Sequence, residues 1–533
     1  MRVTDPNTPG REDSDSLFPP TEAIAAQPTQ AIAAPVIVDA AQGPQAPSGA
    51  ARAWSGVLSS VRSHPTAWIA SAATAAFVLI GGGAFAAGAA TPPAQPAALR
   101  QPAATTSSTP SQTPSATPTP TPTARPTANP ALPATSLKTC SVAQAAADKR
   151  LGTLEAQVLD AKTGQVLFDR NGETPAPTAS VMKTITAAAT LASLGPDATL
   201  PTTVVKGSQP GQVVLVGGGD PTLSIHGGAY YQGAPTMDDL AGQVKQAWAA
   251  DPANAAQPIT SVVVDASLFG GPTWQSSWPT TERTGEGSTA PITALIANGA
   301  KQNPKALESP RSDNPVDDAG AAFAQVLGVQ YGGQAAAPQG AAALGTVHSQ
   351  PVSALLNQAL LDSDNTVMET LARLTAIKEG AGNTFGAIQA GDVAALKTYG
   401  LDGSSLTIID GSGLSADNRV PPSFLTGFMI KVLNREQGLG LIYDSLPVAG
   451  QTGTLSASYG RFTGAASIAA GHVHAKTGWI TNGYTLAGVV DAKDGSRLSF
   501  AIFALGNVND SAKAAIDALT AAIYTCGGNL SNS

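Results

Sequence analysis

The stretch TASVMKTITAAATLASLG, residues 178–195, places a serine and a lysine three positions apart at the head of an apolar-periodic run. Met182, Ile185 and Leu191 recur at helical spacing, and Gly195-Pro196 ends the run as helices commonly end. Residues three apart on a helix share a face, so Lys183 lies one turn from Ser180 and within reach of its Oγ. A serine hydroxyl is a weak nucleophile until an adjacent base takes its proton. A lysine serves as that base only where desolvation and cationic neighbours lower its pKa. At this N-terminus Ser180 would meet the positive end of the helix dipole and free backbone N–H groups, a setting suited to an oxyanion. An ordinary N-cap serine has the same local sequence, so the pair decides nothing alone.

Its company decides. Ser-x-x-Lys occurs once in the chain, whereas Ser-Asp-Asn occurs at 312–314 and 363–365, and Lys-Thr-Gly at 162–164 and 476–478. Ser312 sits in a polar stretch closed by prolines, which predicts an exposed loop. Ser363 lies between SALLNQALLD and NTVMETLARLTAI, two helical runs that hold a junction rigid. Lys162 falls at the polar turn between two alternating runs, LEAQVLDAKTGQVLFDR, and so at a hairpin tip. Lys476 lies in HVHAKTGWITNGYTLAGVVDA, rich in β-branched and apolar residues, and follows the other two triads in the chain. Ser180–Lys183, Ser363–Asn365 and Lys476–Gly478 therefore form one ordered set, with the two other copies as decoys.

That order, S-x-x-K, S-D-N, K-T-G, is the signature shared by penicillin-binding proteins and class A β-lactamases. Over residues 140–527 the chain resembles D-alanyl-D-alanine carboxypeptidases of the penicillin-binding protein 4 type, peptidase family S13, in the form carrying an N-terminal membrane anchor. Further matching stretches are DAKTGQVLFDRNGETPAPTASVMK, LVGGGDPTL, VVVDASLFGGPTW, TAPITALIANG, IIDGSGLSADNRVPP and LPVAGQTGTL. The resemblance implies Ser180 as nucleophile, Lys183 as its base, Ser363 as proton relay to the leaving amine, and Asn365 as holder of the substrate carbonyl. It implies Lys476 and Thr477 as binders of the terminal carboxylate. The oxyanion hole would be the N–H groups of Ser180 and of the residue after Gly478. That residue is Trp479, where the family often has a small hydroxyl residue. The backbone N–H survives this departure and the hydroxyl does not, so Trp479 is read either as a rim-packing aromatic or as a substrate-shaping one.

The implied fold is the serine β-lactamase/penicillin-binding α/β fold, an antiparallel sheet with helices on both faces. The first hairpin (154–170) and the strands of 470–505 would share that sheet, with a last helix near 511–524 packed on it. From Lys183 to Ser363 is 363 − 183 = 180 residues, far longer than β-lactamases of the resembling class use. The interval therefore holds a domain of its own. Its Gly, Pro, Val and Thr content predicts a mostly β insertion over 201–342 inside a catalytic domain of 136–200 and 343–527, with a short tail at 528–533. No Glu-x-x-Leu-Asn pattern supplies the deacylating carboxylate of class A enzymes.

Upstream, residues 1–65 are rich in Pro, Ala, Gln and Ser without periodicity and read as a disordered cytoplasmic tail. Thr66 to Ala90 carries no charge and has the length a bilayer needs. Arg52, Arg62 and His64 precede it and only Arg100 follows closely, which orients the N-terminus inside. A cleaved signal peptide ending near Ala84–Ala90 is the other reading, although its leader is long for an n-region. Residues 91–135 are almost wholly Pro, Thr, Ser, Ala and Gln, an extended stalk. The two cysteines, Cys140 and Cys526, bracket the catalytic region in a compartment that permits oxidation, and a disulfide between them is expected. Net charge −8 with 12% charged residues speaks against nucleic acid and anionic lipid surfaces.

Other features are weaker. Gly217-Gly-Gly-Asp220 lacks the Lys-Ser/Thr of a phosphate loop and reads as a turn. His472 and His474 have no third ligand nearby and read as packing or solvent-face residues, so neither metal nor cofactor is expected. Asp410–Leu414 and Asp417–Arg419 read as a tight turn beside the site. The function expected is a serine D-Ala-D-Ala carboxypeptidase, with endopeptidase activity open, acting on peptidoglycan stem peptides and acylated by β-lactams. A β-lactamase-like hydrolase and a catalytically silent wall-binding or β-lactam-sensing protein are the alternatives.

Overall fold

A computed structural model describes residues 137–254 and 256–532. The expected tail, membrane span and stalk lie outside the described residues. Strands run in chain order as β1 (Cys140–Ser141), β2 (Thr153–Asp160), β3 (Val166–Arg170), β4 (Pro201–Lys206), β5 (Gln212–Gly217) and β6 (Ser261–Asp265). They continue as β7 (Gln330–Gln334), β8 (Ala343–His348), β9 (Val473–Ile480), β10 (Gly483–Asp491), β11 (Arg497–Leu505) and β12 (Leu530–Ser531). The helices that shape the site are α1 (Met182–Ser193), α2 (Met237–Ala250), α3 (Pro315–Leu327), α4 (Val352–Asp362), α5 (Asn365–Lys378), α6 (Pro422–Leu433) and α7 (Ala512–Cys526).

The catalytic sheet has the order β3-β2-β11-β10-β9, with every neighbour antiparallel. Successive side chains on a strand face opposite sides, and β11 shows what this requires. Leu498, Phe500, Ile502 and Ala504 enter one core with Ile516, Leu519 and Ile523 of α7. Ala501 and Phe503 enter the other with Phe428 and Met429 of α6 and Ile185 of α1. A strand covered on both faces must be mostly apolar, and RLSFAIFAL is apolar from Phe500 to Leu505. Burying each phenylalanine contributes about 1.5–3 kcal/mol. The Asp160–Gln165 turn joins β2 to β3, and its aspartate Oδ1 accepts from the N–H groups of Lys162 and Thr163 at 3.0 and 2.9 Å.

The region between α1 and α4 differs from its expectation. Its sheet, β7-β6-β5-β4-β8, is mixed: β4 runs antiparallel to β5 and β8, while β5, β6 and β7 are parallel. Parallel neighbours need a crossover connection. Here α2 links β5 to β6 and α3 links β6 to β7, so the insertion is α/β and not mostly β. The strand-rich composition hides both helices, although each begins on a legible signal. Thr236 caps α2 by accepting from Asp239 N at 3.0 Å, and Pro315 opens α3 ahead of Asp317 and Asp318. Trp248 and Phe323 from these helices bury into the Val262–Val264 face.

The two ends of the described region meet. Cys140 and Cys526 form a disulfide across 386 residues, beside the parallel β1–β12 pair.

Candidate active site

Ser180 lies in a one-turn 3-10 segment, Ala179–Val181, that runs directly into α1. Ala179 adopts φ 46°, an uncommon conformation for a residue with a side chain. Two glycines make this possible by close approach. A Cβ on Gly413 would collide with the Ala179 carbonyl, and a Cβ on Gly478 would lie 2.9 Å from both Ser180 N and Ala179 Cβ. The glycine of Lys-Thr-Gly is thus where edge strand β9 touches the backbone of the serine.

Lys183 is fully buried and its Nζ contacts three acceptors: Ser180 Oγ at 2.7 Å, Asn365 Oδ1 at 2.5 Å and the Ser412 carbonyl at 2.8 Å. Burial lowers its pKa to about 8, against the opposing charges of Glu369, Asp410, Asp364 and Glu282. The Ser412 carbonyl is held by carboxylates beneath it. Glu369 accepts from the N–H groups of Gly411 and Ser412 at 3.1 and 2.6 Å. Asp410 accepts from Gly413 N, Ser415 N, Asn418 Nδ2 and Trp278 Nε1 at 2.6–2.8 Å. The expected turn around Asp410 is therefore a carboxylate-centred loop carrying one of the lysine's acceptors. The Arg419 guanidinium donates to the backbone carbonyls of Ala416 and Asn418, and its charge acts on Glu155.

Ser363 joins α4 to α5 in the left-handed region, φ 63°. Asp364 caps α5 by accepting from Val367 N at 3.0 Å, and this puts Asn365 in the first turn, facing Lys183. Asn365 Nδ2 donates to the Ser288 carbonyl of the insertion at 3.2 Å. Lys476 is fully buried on β9 and donates to Ser363 Oγ at 3.0 Å and to the Thr477 carbonyl at 2.9 Å. Burial, and then the charge of Lys183, press its pKa well below the ordinary lysine value. Thr477 Oγ1 lies 2.7 Å from Thr454 Oγ1. Trp479 stands on the rim, 46% exposed.

A cavity of about 290 Å³ opens over these groups, and Ser180, Ser363, Asn365, Thr477 and Trp479 line it. Glu282, Glu286 and Glu308 of the insertion also line it, as do Arg461 and Lys513. The decoys are elsewhere: Lys162–Gly164 is the exposed β2–β3 tip, and Ser312 hydrogen-bonds Asp318 at the head of α3. Asp220 folds back on Thr222, accepting from its N–H and Oγ1 at 2.8 and 2.6 Å, and burial raises its pKa to about 6. His472 and His474 stack on Tyr524 and Tyr443. Among the described residues no three His, Cys, Asp or Glu side chains converge as metal ligands. Glu369 and Thr454 are not legible as site residues, and Ser412 is legible only as part of the turn beside the site. The one signal for Glu369 is a carboxylate on the apolar face of a helical run.

The profile of the D-Ala-D-Ala carboxypeptidase 3 (S13) family matches residues 138–308 and 298–524. Carboxypeptidase DacB of Mycolicibacterium smegmatis is 36% identical over 395 residues, covering 73% of this chain and 84% of that protein. A D-alanyl-D-alanine carboxypeptidase of Actinomadura sp. (strain R39) is 27% identical over 464 residues, 70% and 81% of the two chains. The fold is that of the crystal structure of penicillin binding protein 4 from Haemophilus influenzae, with a TM-score of 0.58 at 20% identity, covering 72% of this chain and 98% of that one. Triads, fold and relatives agree, and the chain is a serine D-Ala-D-Ala carboxypeptidase belonging to the S13 family.

Proposed function

We propose that Ser180 is the nucleophile and that the substrates are peptidoglycan stem peptides ending in D-Ala-D-Ala. Neutral Lys183 takes the Oγ proton, and Oγ bonds to the carbonyl carbon of the penultimate D-alanine. The oxyanion rests on the N–H groups of Ser180 and Trp479. As the C–N bond breaks, the Ser363 hydroxyl passes a proton to the departing amine of D-alanine. It recovers one from Lys476, which is re-protonated at the expense of the proton Lys183 took from Ser180, and water later hydrolyses the acyl-serine. Asn365 aligns the substrate carbonyl, and Lys476 and Thr477 hold the terminal carboxylate. That carboxylate adds a negative charge to the distant one of Asp362 and so favours protonated Lys476. A protonated Lys476 then helps to keep Lys183 neutral. The observation carrying this reading is that Lys183 touches both Ser180 and Asn365 while Lys476 touches Ser363, all beside one cavity.

β-Lactams would acylate the same serine. Intact-mass spectrometry after benzylpenicillin should show one adduct on the Ser180 peptide, absent in Ser180→Ala. An adduct that persists in Ser180→Ala would sink the assignment. Cleavage of D,D cross-links uses the same acylation with a larger leaving amine, and release of monomers from cross-linked dimers measures it. We also propose that residues 66–90 anchor the enzyme and that the 91–135 stalk holds it outside the membrane, where the Cys140–Cys526 disulfide is stable. Protease shaving of intact cells should release the catalytic unit; full protection would place it inside.

A further inference from the structure

Ser363 holds a left-handed backbone that a side-chain-bearing residue keeps only where its surroundings over-determine it. Its two neighbours in sequence are both aspartates, and both are gripped from the insertion. The Tyr230 hydroxyl donates to Asp362 Oδ2, and the Tyr231 hydroxyl donates to Asp364 Oδ2 at 2.8 Å. These adjacent tyrosines lie 132 and 133 residues upstream of their partners. Lys301, also of the insertion, packs its Nζ 3.6 Å from the Tyr230 ring centroid and 4.5 Å from that of Tyr231. That nitrogen is buried and makes no hydrogen bond among the described residues, so it serves the rings by cation–π attraction.

We propose that Tyr230 and Tyr231, backed by Lys301, are positioning residues that fix Ser363 for proton transfer by holding the carboxylate on each side of it. The inference rests on the relay role given to Ser363 above. It makes the insertion part of the catalytic centre and not an appended module. The two carboxylates are also placed to matter electrically. Asp364 opposes the lowering of the Lys183 pKa, and Asp362 opposes that of Lys476. A clamp that drifts would therefore disturb both lysines along with the serine.

The test is Tyr230→Phe, Tyr231→Phe and their double in the whole protein, each also combined with Ser363→Ala. Asp362 is only half-buried, so Tyr230→Phe leaves its carboxylate wetted and the protein folded even if Tyr231→Phe does not. Acylation by benzylpenicillin and turnover of a D-Ala-D-Ala peptide are measured beside the thermal midpoint. The proposal expects Tyr230→Phe to slow acylation about tenfold, and the double about a hundredfold, as sub-ångström misplacement does. KM should move less than about twofold, and the Ser363→Ala background should show no further loss, because coupled sites are non-additive. An unchanged acylation rate in Tyr230→Phe overturns the proposal. A loss of equal size in the Ser363→Ala background also overturns it, since that is general destabilisation. If Ser363→Ala itself acylates normally, the relay reading fails instead.

Discussion

Ser-Asp-Asn stands twice in this chain, and both copies precede a helix. At 312–314 the serine hydroxyl turns to Asp318, Pro315 starts the helix, and Asn314 caps it without a side-chain bond. At 363–365 the aspartate caps the helix, the asparagine enters its first turn and reaches Lys183, and the serine meets Lys476. Lys-Thr-Gly is also duplicated: Lys162 is exposed at a hairpin tip, whereas Lys476 is fully buried. Identical tripeptides thus acquire different chemistry from what lies on either side of them. A helix ending at Asp362 and a sheet edge against the Ala179–Val181 segment turn three residues into part of a site.

Alanine substitutions in matched pairs should break the symmetry. Lys476→Ala is expected to cost about a thousandfold in kcat/KM, on the scale of a lost charge-stabilising donor. Lys162→Ala should stay within about twofold. Steady-state kinetics on a D-Ala-D-Ala peptide decide it, and equal losses would refute the assignment of β9. The glycines form the next pair. Gly478→Ala drives a Cβ against Ser180 N and should cost about a hundredfold or more in acylation. Gly164→Ala meets no atom within 4 Å, and its φ of 72° leaves only backbone strain of about 1 kcal/mol. Its signature is a small drop in thermal midpoint with activity intact. Ser363→Ala should then lose about a hundredfold, the low end of a general-acid contribution. Ser312→Ala, whose hydroxyl bonds Asp318 near the surface, should turn over normally.

The same contrast explains what the sequence could and could not yield. A helix face, a tight turn and an alternating strand are local patterns, so α1, the β2–β3 hairpin and the α4–α5 junction were legible from residue spacing. The strands of 470–505 follow from the family resemblance more than from periodicity. Contacts between distant segments were not legible. Glu369 holds the loop of Ser412 across 43 residues, and Tyr231 reaches Asp364 across 133. The helices of the insertion were missed for a related reason. Counting Val, Thr and Gly predicts strands correctly but is silent on whether neighbours run parallel, and parallel neighbours are what require α2 and α3.

The smallest effect sharpens the comparison at the level of protons. Lys162 is exposed, whereas burial brings Lys183 to about 8 from 10.5. The base must be neutral to take the Ser180 proton. The second-order rate of acylation by benzylpenicillin should therefore climb with unit slope as pH rises toward 8 and level off above it, gaining about tenfold from pH 7. The effect on stability has the same direction. The folded pKa lies below the unfolded one, so the unfolded chain holds this proton more tightly. Below about pH 8 the group opposes folding by its full amount, and that opposition fades as pH rises from 8 to 10.5. Acylation that stays flat between pH 6 and 9 would mean that Lys183 is already neutral throughout, or that a different group accepts the serine proton.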